Sequence, residues 1–244
     1  MKLKTTILPL CTTFLSVVGI LLRFWIGSAG TDQSGLVITG HPSVIVTMVL
    51  LIGFGAMLAV FAIFMDKTPT APGKSAVGAV GCYIGAVGLL ITAVTELNSM
   101  STMQDERSVS MMAALLSVLF GFGAVAVMVL MGNCRKQGKT LGIWAYVIVV
   151  LYFVFHLLQQ YRVWTRMPQL TGYLFPMLAS ISLMLTTYHR ACKDLGQPVQ
   201  WQYFVCSQAA LFFSVLSIGG TSWVFYITMS AWMLLDSLPG KENK

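Results

Sequence analysis

A chain of 244 residues that is 57% hydrophobic and only 9% charged lacks the roughly 25% of charged residues that clothe a soluble domain. A water-soluble globule is excluded, and lipid is the solvent for most of the chain. The net charge of +7 does not point to nucleic acid, because the basic residues stand in short segments between apolar runs, as the positive-inside rule prescribes, and form no binding stripe. The expected fold is all-α: one integral membrane domain, residues 1–244, built as a polytopic transmembrane helical bundle.

Eight apolar runs of about 17–25 residues, enough to cross the hydrocarbon layer, are read as spans: 8–27, 43–64, 77–97, 111–131, 141–160, 171–188, 201–218 and 221–238. The start, Met1-Lys2-Leu3-Lys4 before an apolar run that ends in Gly27-Ser28-Ala29-Gly30, has the outline of a secretory signal. It is read as the first span, inserted with its lysines inside. Within it Thr12, Ser16, Gly19 and Arg23 share one helical face, which suits packing and turns Arg23 into the bundle; snorkelling to the outer headgroups is the alternative. The following outer loop contains Asp32 and His41, nine residues apart, which is turn chemistry and not a metal motif.

Leu21-Leu22-Arg23-Phe24-Trp25, then Asp32-Gln33-Ser34-Gly35-Leu36 and Gly40-His41-Pro42 before a long apolar helix, resembles a pattern in uncharacterised bacterial multi-pass membrane proteins. The resemblance implies a bacterial plasma membrane and nothing about mechanism.

Span three carries Gly78, Gly81, Gly85, Gly88 and Thr92 at helical spacing, a stripe for close helix packing that continues to Glu96. An ionisable group at such depth is by default a functional candidate. Glu96 calls for a cation at its own depth, Arg23 first and Arg162 second, in a structural ion pair or in a proton or solute site. In span five Tyr152, His156, Gln159 and Gln160 make a polar stripe that no lipid-facing surface would display; the ring relays protons, binds a ligand or makes a structural hydrogen bond. Pro176 is expected to kink span six.

Residues 203–238 are almost uninterruptedly apolar. One helix of that length would run roughly 54 Å, against about 30 Å of hydrocarbon. Gly219-Gly220 is therefore the expected hairpin turn, with glycine supplying positive φ. With the N-terminus inside, eight spans put Lys2, Lys4, Lys67, Lys74, Arg135, Lys136, Lys139, Arg190, Lys193, Lys241 and Lys244 in the cytoplasm and only Arg107, Arg162 and Arg166 outside, so both termini are expected in the cytoplasm. Leu22-Arg23-Phe24-Trp25 and Tyr161-Arg162-Val163-Trp164 at the ends of spans one and five suggest two parallel four-helix repeats, 1–139 and 140–244, although interfacial anchoring alone also produces Arg-x-Trp. Most of the six tryptophans are expected in the aromatic belts.

The five cysteines fall in the inner half of the spans or on the cytoplasmic side, and are expected reduced. No metal site, cofactor or catalytic residue is expected, and no hydrolytic motif is present in the sequence. Two functions compete. The first is a transporter or solute-binding component whose outer polar pocket, built from Arg23, Glu96, His156, Gln159, Gln160 and Arg162, takes a small polar or anionic solute. The second is a partner subunit, sensor or assembly factor that uses the glycine stripe of span three and the aromatic surfaces against another membrane protein or a second copy. An intramembrane enzyme is a third reading, and it requires His156 and Glu96 within a few ångströms of each other.

Overall fold

The computed structural model describes residues 2–31, 37–38, 40–64, 74–102, 108–164, 170–220 and 222–238. They form eight helices: α1 (Lys2–Ala29), α2 (Pro42–Phe64), α3 (Ala76–Thr102), α4 (Ser108–Gln137), α5 (Ile143–Trp164), α6 (Leu170–Asp194), α7 (Gln200–Leu216) and α8 (Trp223–Ser237), with a short 3-10 turn, Ser217–Gly219, between the last two. Among the described residues the sole extended pairing is a single bridge, Thr31 to Val37, in the loop after α1.

Among the described residues six segments are long and apolar enough to cross a membrane: Ile7–Ala29, Pro42–Phe64, Ala76–Ser99, Ala114–Gln137, Ile143–Tyr161 and Gln200–Gly219. They make this an integral membrane helical bundle. The outer surface agrees, since Phe14, Ile52, Ile63 and Leu119 are 66–76% exposed, an arrangement that lipid accepts and water does not.

Helices α3 to α8 close a ring, each packed on the next and α8 packed back on α3; α1 lies against α7 from outside, and α2 touches α1 and α7. The middle of the ring is solid. Leu89, Met128, Phe153, Leu183, Leu211 and Met229, one from each ring helix, are fully buried in one apolar cluster. A smaller cluster fixes α2 to α6 and α7 through Phe54, Phe175, Phe212 and Leu216, with the Phe54 and Phe212 rings stacked at 3.9 Å.

The stripe of Gly78, Gly81, Gly85 and Gly88 is turned onto α8. A Cβ at Gly81 would lie 2.9 Å from Leu235 Cβ and 3.2 Å from the Trp232 carbonyl oxygen, and at Gly88 the Thr228 hydroxyl already occupies the Cβ position. Small residues let the two backbones approach. Trp232 is 3% exposed and plugs this interface, so it is not one of the tryptophans in the aromatic belts; a ring over a glycine stripe gains more from packing than from the headgroups.

The chain does reverse between α7 and α8, but not through positive φ at Gly219 or Gly220. Gly220 has φ −101°, and among the described residues the left-handed glycines are Gly40, Gly138 and Gly196. A 3-10 turn follows α7, and Arg23 reaches over from α1 to the carbonyl of Leu216 and lies beside Gly219. Gly138 and Gly196 do need their left-handed backbone, since they close the ends of α4 and α6: the amide of Lys139 donates to Cys134 O, and that of Gln197 to Cys192 O. These two stops end α4 just after Arg135 and α6 one turn after Arg190.

Candidate functional site

Glu96 and His156 meet across α3 and α5, with Nδ1 of His156 2.9 Å from Oε1 of Glu96. Ser117 of α4 donates to the other carboxylate oxygen at 2.8 Å. The His156 side chain is fully buried and that of Glu96 is 15% exposed. The imidazole lies between the Tyr152 ring, stacked at 5.5 Å, and the Phe225 ring of α8, tilted at 5.0 Å. Both Nε2 of His156 and the hydroxyl of Tyr152 are buried without a hydrogen-bond partner among the described residues.

A carboxylate only accepts hydrogen bonds. Ser117 donates to one oxygen of Glu96, and the other oxygen is within hydrogen-bonding distance of Nδ1 of His156. Nε2, the second ring nitrogen, is the one left without a partner among the described residues.

Arg23, the cation expected opposite Glu96, is held elsewhere. Its guanidinium donates to the carbonyl of Leu216 and lies 5.7 Å from the centre of the Phe175 ring. A cation on an open carbonyl at a helix C-terminus satisfies an orphan acceptor and the helix dipole together. Gln159 and Gln160 are half-buried one turn beyond His156. The backbone of Arg162 belongs to α5, but its side chain lies outside the described residues, as does Asp32. His41 caps the start of α2, its Nδ1 2.6 Å from Ser43 Oγ.

A second polar cluster sits at the other end of the ring. Asp236 of α8 pairs with Arg135 of α4, pairs with Arg190 of α6 at 2.6 Å, and accepts from the hydroxyl of Tyr203 of α7. Arg190 also approaches Asp194 at 3.6 Å, and Asp194 accepts from the hydroxyl of Tyr146 of α5. Lys193 lies 5.2 Å from the centre of the Tyr203 ring. The Asp236 side chain is 2% exposed and that of Arg190 6%. A buried charge of this kind persists only where it is paired; here one carboxylate ties four ring helices together, while Nε of Arg135 and of Arg190 has no hydrogen-bond partner among the described residues.

Along α3, Glu96 and Gly78, which faces Asp236, are 18 residues or about 27 Å apart. The two clusters thus occupy opposite ends of a bundle whose centre is apolar. Sequence reasoning passes over the second one. It treats Arg135, Arg190 and Lys193 as loop charges and omits Asp236, although an acid inside the eighth span and an Arg190–Asp194 pair at i,i+4 were the available signals.

Among the described residues no three His, Cys, Asp or Glu side chains converge as metal ligands, and the five cysteines are free. No protein-family model, no curated protein and no solved structure matches the chain.

Proposed function

We propose that the chain is an eight-span bacterial plasma-membrane protein with both termini in the cytoplasm, and that it binds and carries a small polar solute at the Glu96–His156 pair in the outer half of the bundle. Beyond the six apolar spans, α6 and α8 complete the count. The hydroxyls of Ser180, Ser182, Thr186 and Thr187 in α6 donate to carbonyls one turn back, so a helix polar in composition presents few free polar groups to its surroundings. The charge asymmetry of the loops supports the orientation, and the resemblance noted in the sequence supports the bacterial setting.

The observation that carries the transport reading is the buried, unpartnered pair His156 Nε2 and Tyr152 OH beside a hydrogen-bonded carboxylate. Unpaired polar groups at this depth cost free energy that a polar ligand recovers. With Arg23 committed to the α7–α8 turn, an uncharged polar solute suits the described residues better than an anion. Of the two surfaces named for the partner-subunit reading, the α3 glycine stripe is covered by α8, so a partner would use the aromatic surfaces.

The test is thermal unfolding of the detergent-purified protein with amino acids, monosaccharides and small carboxylates, followed by uptake into vesicles of phosphatidylethanolamine and phosphatidylglycerol. One solute class should raise the unfolding temperature and be taken up, and His156→Asn should abolish both effects. Equal behaviour of the variant, or no response to any class, removes the proposal.

A further inference from the structure

We propose that Glu96 and His156 form a proton-binding site, with Nε2 of His156 as the atom that takes the proton. Three observations converge on this atom. Nδ1 lies 2.9 Å from the Glu96 carboxylate, which would hold the ring hydrogen on that nitrogen. Nε2 is buried without a partner among the described residues. The carboxylate that would neutralise an imidazolium is already in contact and is itself held by Ser117. A basic nitrogen, a counter-ion and the absence of a competing donor are what a proton site requires.

The step balances simply. A hydronium ion gives its proton to the lone pair of Nε2, an N–H bond forms as an O–H bond breaks, and water leaves. The pair passes from a net charge of −1 to zero, and no electron is transferred. Glu96, 15% exposed where His156 is sealed, is the side on which the pair meets the surroundings. Among the described residues the titratable and charged groups around the ring are few. Glu96 comes from α3 and Tyr152 from α5 itself; Tyr226 of α8 is within electrostatic range of Tyr152, and Arg23 of α1 is within range of Tyr226. From α4 comes only the Ser117 hydroxyl, and from α6 the hydroxyl of Ser180 beside Tyr226. Among them Glu96 alone offers a negative charge in contact with the ring.

The coupling consequence rests on the transport reading. A solute that donates a hydrogen bond uses the same lone pair that the proton uses, so the two occupants exclude each other on Nε2, and proton and solute are exchanged.

Nitrogen NMR of the full-length protein labelled at the histidine rings tests the site directly, the His156 signals being those missing from His156→Asn. Should that variant fail to fold, a His41→Gln/His189→Gln background leaves His156 as the sole imidazole. The expected spectrum shows the hydrogen on Nδ1 at alkaline pH and both nitrogens protonated on acidification. A hydrogen on Nε2 at alkaline pH, or a ring that stays neutral until the protein unfolds, overturns the proposal. Titration as described with no solute taken up by vesicles leaves the proton site standing and removes transport, whereas uptake by a protein whose ring never charges does the reverse.

Discussion

Replacing the carboxylate of Asp236 by an amide leaves the guanidinium groups of Arg135 and Arg190 close together without their shared counter-charge, in surroundings almost closed to solvent. Asp236→Asn is therefore expected to cost about 3–5 kcal/mol, the range for a broken buried ion pair, read as a fall in the thermal midpoint in detergent. Removing the carboxylate and both guanidinium groups together, with methionine for the arginines and leucine for Asp236, should cost less than the single change, because no uncompensated charge stays buried. An Asp236→Asn protein as stable as the wild type would show that the cluster is wet and screened. At this scale the sequence was legible for Glu96 and His156, whose depth in an apolar run marks each as expensive. It was misleading for Arg23, since a carbonyl at a helix end competes with a carboxylate for a guanidinium, and only proximity decides which is reached. Arg190 was hidden for a related reason. The apolar run stops at 188 while α6 continues to Asp194, and these extra turns convert a loop charge into a buried one.

Helix against helix, the contrast between glycines is the sharpest check. Gly81→Ala forces a methyl group against Leu235 Cβ and the Trp232 backbone, and overpacking of that kind costs about 1–3 kcal/mol. Gly53→Ala in α2 meets nothing within 4 Å and should be neutral, or stabilising by up to about 1 kcal/mol through helix propensity. Unfolding midpoints of the two variants measure the difference; equal values would mean that α3 and α8 are not in close contact. The periodicity of the α3 stripe was readable from spacing alone. Its partner was not, because a row of small residues says that something comes near and is silent on whether that is α8, a second copy or another protein.

For the molecule as a whole, the proposed eight spans would place both ends on one side. Reporter fusions at residues 1 and 244, one active only in the cytoplasm and one only outside it, should both register the cytoplasm; a split result would reduce the bundle to an odd number of crossings. The closed ring of α3 to α8 with α1 and α2 outside it was not legible in the sequence, since apolar helices in lipid have no hydrophobic drive to choose among neighbours. By itself the sequence determined the membrane setting, the number of helices and their approximate bounds, because an apolar run is matched to bilayer thickness one segment at a time. The tertiary structure decided which polar groups meet: Glu96 with His156 and Ser117, Arg23 with the end of α7, and Asp236 with Arg135, Arg190 and Tyr203. Those meetings depend on the order and rotation of helices around the ring, and the spacing of residues along any single helix carries no record of either.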